Sequence, residues 1–112
     1  MKTIHLSHTL AVAGLLAALA APAVSQAADA KAAEALARKE NCLKCHSVDK
    51  KKDAPSFKDI SASYKGKADA EAQLTAKLTK GMKVKAAGGE EDHKTVKANA
   101  DTTNMVQWIL SQ

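Results

Sequence analysis

Two thiols three positions apart, with an imidazole directly after the second, restrict this chain more than any other stretch of it: Cys42-Leu43-Lys44-Cys45-His46. On one helical turn, residues i and i+3 project to the same side, so both sulfurs can meet one flat partner. The order Cys-x-x-Cys-His fits addition of each thiol to a vinyl group of haem, with the adjacent imidazole reaching the iron from that side. Other chemistries use similar residues. A disulfide or a reactive dithiol also fits Cys-x-x-Cys, but the dithiol motif follows a strand in mixed α/β sequences, and no stretch here reads as a strand. Zinc needs four ligands; beyond residue 27 the chain has two Cys and two His, His46 and His93, which is just enough. Structural zinc sites seldom set a ligand His directly after the second Cys. Haem is the chemistry the motif favours.

The leading segment reads as an address. Met1-Lys2-Thr3 is a short positive start, residues 10–21 are an apolar run, and Ser25-Gln26-Ala27 is a small-x-small cleavage site. Together they make a secretory signal peptide over residues 1–27. A membrane anchor is the rival reading, but about 20 apolar residues are needed to cross a bilayer. This run has 12 before Pro22 ends it. No Cys lies near the cleavage site to take a lipid, and no Arg-Arg pair precedes the apolar run, so general export of a soluble product is expected. Cleavage near Ala27 leaves residues 28–112 as one small domain in the periplasm.

Those 85 residues contain only Phe57, Tyr64 and Trp108 as aromatic side chains, a thin interior for a chain of this size. A large apolar cofactor would fill it. Outside the leader, 16 basic side chains face 12 acidic ones, a formal +4 that suits transient docking on acidic redox proteins. Nucleic acid is not expected as a partner: the lysines are scattered among acids, and the aromatics that would stack bases are missing.

Over nearly all of residues 28–112 the chain resembles the small bacterial class I cytochromes c. The resemblance rests on Ala-Leu-Ala-Arg-Lys-Glu-Asn-Cys-Leu-Lys-Cys-His-Ser-Val-Asp (35–49), Ala-Pro-Ser-Phe-Lys-Asp-Ile (54–60) and Val-Gln-Trp-Ile-Leu (106–110). It implies an all-α class I cytochrome c fold, about four helices wrapped around one covalently attached haem c. It also implies a monomeric electron carrier, not an enzyme, that serves periplasmic or membrane-bound redox proteins. Cys42 and Cys45 then carry the haem, and His46 is the proximal iron ligand. Pro55 matches the family's proline whose carbonyl accepts a hydrogen bond from that imidazole, orienting the ring and raising its basicity. A helix-starting proline is the plainer role, and both can hold together.

Residues 30–40, rich in Ala, Leu, Lys and Glu, predict a first helix running into the motif. Residues 50–53 are a charged loop, in which Lys50, Lys51 and Lys52 are candidates for partner docking. Pro55 is expected to open a short helix through Ser63. Asp69 caps a third helix over residues 70–80, with Ala70, Leu74 and Leu78 four apart and Gly81 as its stop. Residues 83–100 lack apolar periodicity, contain Gly88-Gly89 and predict a long loop. Asp101 or Thr102 should cap a last helix whose Met105, Trp108, Ile109 and Gln112 share a face. In the family that helix crosses the first one.

The distal side departs from the family pattern. Class I members usually place a Met, followed by Pro, in the loop before the last helix. Counting back from Trp108, that step falls at Glu91-Asp92, where there is neither; His93 lies within two residues of it. His93 is therefore the first candidate for the distal ligand. Met82, just after the Gly81 stop, is the second, and an open or water-bound iron the third; Met105 belongs to the core. Axial ligands tune haem potentials over roughly 0.8 V, and a second imidazole implies a lower potential than a thioether does. Gly88-Gly89 and the acids that follow would soften the loop, so a small-ligand-binding protein with an openable site stands as an alternative function. A haem subunit of a larger oxidoreductase complex is another.

Overall fold

In the computed structural model, which describes residues 27–112, the first helix begins where the sequence provides a cap. The expected leader, all but its last residue, lies outside that range. Asp29 precedes α1 (Ala30–Lys39), and its carboxylate accepts the Ala32 N–H at 3.0 Å. Arg38 and Lys39 in the last turn complement the negative end of the helix dipole. Ala33 and Ala37, one turn apart, are wholly buried, and their small side chains let α4 (Ala100–Leu110) lie close. The two helices are pinned where they meet: Asp29 N–H donates to Asn104 Oδ1 at 2.8 Å, and Asn104 Nδ2 donates to the Asp29 carbonyl at 2.9 Å.

The cap of α4 is Asn99, not Asp101 or Thr102. Asn99 has the extended backbone a cap requires, and its side chain accepts the Thr102 N–H at 2.9 Å. Thr102 is instead buried inside the first turn, with its hydroxyl donating to the Lys97 carbonyl at 2.6 Å. Met105, Trp108 and Ile109 are buried as the spacing predicts, and Val106 joins them.

Helix α2 (Phe57–Tyr64) starts two residues later than expected. Ser56 Oγ accepts the Asp59 N–H at 3.1 Å while Asp59 accepts the Ser56 N–H at 3.2 Å, a reciprocal box that fixes the start and leaves Pro55 outside the helix. Ser56 is 1% exposed, so Ser56→Ala is expected to lower unfolding free energy by about 1–2 kcal/mol. Denaturant unfolding of the haem-loaded protein beside Asp59→Asn, which keeps an acceptor, checks this. Ser61 Oγ docks α2 on α4 by donating to the Leu110 carbonyl at 2.7 Å. Helix α3 (Ala70–Lys80) has the predicted bounds, and Gly81 stops it at φ 97°, a conformation that favours glycine. The Asp69 carboxylate takes the Gln73 amide at 2.7 Å rather than capping a backbone N–H.

Residues 83–100 are not simply a loop. They open with a hairpin of β1 (Lys83–Ala86) and β2 (Gly89–Asp92), paired Lys83↔Asp92, Val84↔Glu91, Lys85↔Glu90 and Ala86↔Gly89. The register explains why apolar periodicity missed it: the strands pair through opposite charges, and Lys83 Nζ meets Asp92 Oδ1 at 2.7 Å. Gly89 at φ 119° closes the turn. The fold remains that of four helices among the described residues, with one small hairpin attached. The apolar core lies between α1, α2, α3 and α4, where the Phe57 and Trp108 rings meet edge to face at 5.4 Å. No helix among the described residues is long and apolar enough to cross a membrane.

Candidate haem site

The end of α1 turns sharply because Asn41 adopts the left-handed conformation, φ 62°, which Asn tolerates better than most residues. The chain then enters one 3₁₀ turn, Cys42–Lys44, and the Cys42 carbonyl accepts from both Cys45 N–H (3.3 Å) and His46 N–H (3.0 Å). This wraps the two thiols and the imidazole around one carbonyl. Cys42 and Cys45 are not joined to each other; Cys42 is half-buried against the core and Cys45 is exposed. Burial pushes the Cys42 thiol up, Lys94 opposing and Glu40 adding to the shift. A reactive dithiol needs the opposite displacement at its attacking sulfur. The hairpin, moreover, follows the motif in the chain, whereas that motif calls for a strand before it.

His46 is held by the segment that precedes α2. Its Nδ1–H donates to the Pro55 carbonyl at 2.6 Å, which leaves the Nε2 lone pair unshared. Two backbone bonds fix that carbonyl's segment beside the motif: Ala54 N–H to Cys45 O at 3.1 Å and Phe57 N–H to Ser47 O at 2.9 Å. The Phe57 ring stacks on the imidazole, centres 5.4 Å apart and planes 22° from parallel. Burial holds His46 below the ordinary histidine range, the Pro55 bond opposing this and His93 adding to it. The neutral ring is the form that binds a metal.

His93 stands at the base of the hairpin. Its N–H donates to the Met82 carbonyl at 2.8 Å and its Nδ1–H to the Lys94 carbonyl at 2.8 Å, so its Nε2 is also left to accept. The two imidazole centres are 6.1 Å apart, with planes 51° from parallel. A first-row metal about 2 Å from each Nε2 would separate two ring centres by roughly 6 Å, so this donor set fits a haem iron. Among the described residues no three His, Cys, Asp or Glu side chains form a metal-binding cluster.

Continuing the hairpin register by one rung sets Met82 opposite His93, and opposed residues of an antiparallel pair share a face. Both distal candidates thus leave the same rung, while Met105, 1% exposed, packs in the core. Sequence reasoning assigned no role to Phe57, which lies over His46, or to Lys94, whose Nζ reaches the Glu40 carbonyl at 2.8 Å. Phe57 had a usable signal, its place two residues after Pro55; Lys94 reaches across 54 positions and had none.

Residues 30–112 match the family model described as cytochrome c. Among solved structures, the class 1 cytochrome MtoD from Sideroxydans lithotrophicus ES-1 superposes with a TM-score of 0.72 at 49% identity, over 76% of this chain and 97% of that one. The wild-type cytochrome c552 of Nitrosomonas europaea gives a TM-score of 0.56 at 32% identity, over 70% of this chain and 96% of that one. In sequence, cytochrome c-551 of Pseudomonas aeruginosa is 31% identical over 116 residues, spanning 100% of this chain and 99% of that protein. The matched region takes in all four helices and both strands, and the chain therefore belongs to the cytochrome c family, as a small class I member with one covalently attached haem c.

Proposed function

We propose that this cytochrome is a one-electron carrier of the periplasm, with haem held through thioethers at Cys42 and Cys45 and its iron between His46 and His93. The observation that carries this reading is the pair of imidazoles whose ring centres lie 6.1 Å apart, each with its Nδ1–H donated to a backbone carbonyl. Bound haem supplies a centre that gains and loses one electron. Pro55 orients the His46 ring and raises its basicity, and Phe57 shields one side of it. Lys94 does for His93 through its carbonyl what Pro55 does for His46. Two imidazoles set a lower potential than the imidazole–thioether pair usual in the family.

No catalytic step is proposed, because the polar groups of the site are occupied in holding the two rings. Exposed Lys50 and Lys51 lie close in the chain to the attachment turn and suit docking on an acidic redox partner; Lys52 is drawn onto the Leu43 carbonyl at 2.9 Å. Periplasmic location rests on the leader read over residues 1–27. The softness expected around Gly88-Gly89 has less support, since those residues turn a hairpin whose strands are paired. The carrier reading predicts a one-electron redox titration and a reduced spectrum that carbon monoxide leaves unchanged at neutral pH. A carbon monoxide complex formed under those conditions would favour the ligand-binding alternative.

A further inference from the structure

The arm that carries His93 is held to the body at few places. Neither strand of the hairpin packs broadly on a helix. His93 N–H bonds to Met82 within the arm's own base, and Val96 N–H returns to the Leu78 carbonyl of α3 at 2.9 Å. Lys94 makes a different kind of connection. Its ammonium crosses to the end of α1, donating to the Glu40 carbonyl at 2.8 Å and meeting Glu40 Oε2 at 3.0 Å.

Glu40 is the C-cap of α1, where backbone carbonyls lack helical partners and the dipole is negative. A cation placed there satisfies the carbonyl and the carboxylate together. An exposed ion pair alone contributes little, but here the Glu40 side chain is only 26% exposed and the carbonyl adds a second acceptor. Chain order gives the contact its consequence: Glu40 runs through Asn41 into Cys42, so Lys94 joins the attachment turn to the distal arm.

We propose that Lys94 is a positioning residue for the distal imidazole: its ammonium latches the arm to the end of α1 while its carbonyl orients the His93 ring. The inference rests on His93 as the distal ligand and adds the group that keeps it in place. When the latch is removed, the arm lifts more readily and a competing ligand reaches the iron more often.

Imidazole is the suitable probe, because it is neutral when it binds and its affinity is not altered directly by the lost lysine charge. It is titrated into the oxidised, haem-loaded full chain and followed by visible absorption. Lys94→Met is expected to raise its apparent affinity about fivefold. Lys94→Arg, which keeps a cation able to reach both acceptors, should stay near wild type. Adding Glu40→Gln to Lys94→Met should produce little further change, since the two act on one contact. Amide hydrogen exchange at Val96, whose N–H joins the arm to the Leu78 carbonyl of α3, should quicken in Lys94→Met as an independent reading of the same motion.

Unchanged imidazole affinity together with unchanged exchange at Val96 in Lys94→Met would overturn the latch. His93→Ala separates that failure from the failure of its premise. If His93→Ala keeps the wild-type spectrum, the ligand assignment falls and the latch falls with it. If His93→Ala alters the spectrum while Lys94→Met behaves as wild type, the latch alone is wrong.

Discussion

Replacing both Cys42 and Cys45 by serine is expected to abolish covalent haem and to leave a chain that has lost most of its helical structure at ordinary temperature. The interior explains the size of this effect. Among the described residues ten apolar side chains make up the buried core, and two of them, Ala33 and Ala37, are alanines. A domain of this length removes too little surface from water to be stable by a wide margin. A porphyrin held by Cys42, Cys45 and His46 would add the apolar area that the residues themselves lack. The single variants should differ. Cys42 packs against the core and Cys45 is exposed, so Cys42→Ser should reduce the yield of folded, coloured protein more than Cys45→Ser. Visible absorption and far-ultraviolet circular dichroism of the three variants check the order; a double variant with wild-type helix content would contradict the structural role given to haem.

The second large effect is expected at the iron. His93→Ala should convert a low-spin, six-coordinate oxidised protein into one with high-spin character that binds imidazole readily, while Met82→Ala keeps the wild-type spectrum. The His93 ring is oriented by the Lys94 carbonyl and its centre lies 6.1 Å from that of His46, whereas Met82 shares the rung and contributes its carbonyl to the His93 N–H. If Met82→Ala instead removes a sulfur-to-iron band and His93→Ala changes nothing, Met82 is the ligand and the potential should lie higher.

Much of this was legible from residue types and spacing. The attachment turn could be read because its chemistry demands one order of three residues, and α3 because Leu74 and Leu78 recur at one turn ahead of a glycine stop. The start of α4 was blurred by three capping residues within four positions, Asn99, Asp101 and Thr102. Only the backbone decides among them, and Asn99 alone is extended. Pro55 drew the start of α2 forward by two residues, while the box between Ser56 and Asp59 freed the proline's carbonyl for His46. The hairpin stayed hidden because Lys83, Lys85, Glu90 and Asp92 pair by charge across strands, a pattern that no search for apolar spacing detects. His93 was singled out by its distance from Trp108. The contact that anchors its arm joins residues far apart in the chain, Lys94 and Glu40, and could be seen only after folding.

The filled interior, the iron site and the redox role all depend on haem bonded to Cys42 and Cys45. The most direct measurement is the intact mass and visible spectrum of the mature protein made in a host that attaches haem, followed by mass analysis of the peptide containing residues 42–46. The expected result is a coloured protein heavier than its polypeptide by one haem, with the added mass on that peptide. A colourless protein with the mass of the polypeptide alone, made in a host shown to load another cytochrome, would contradict it.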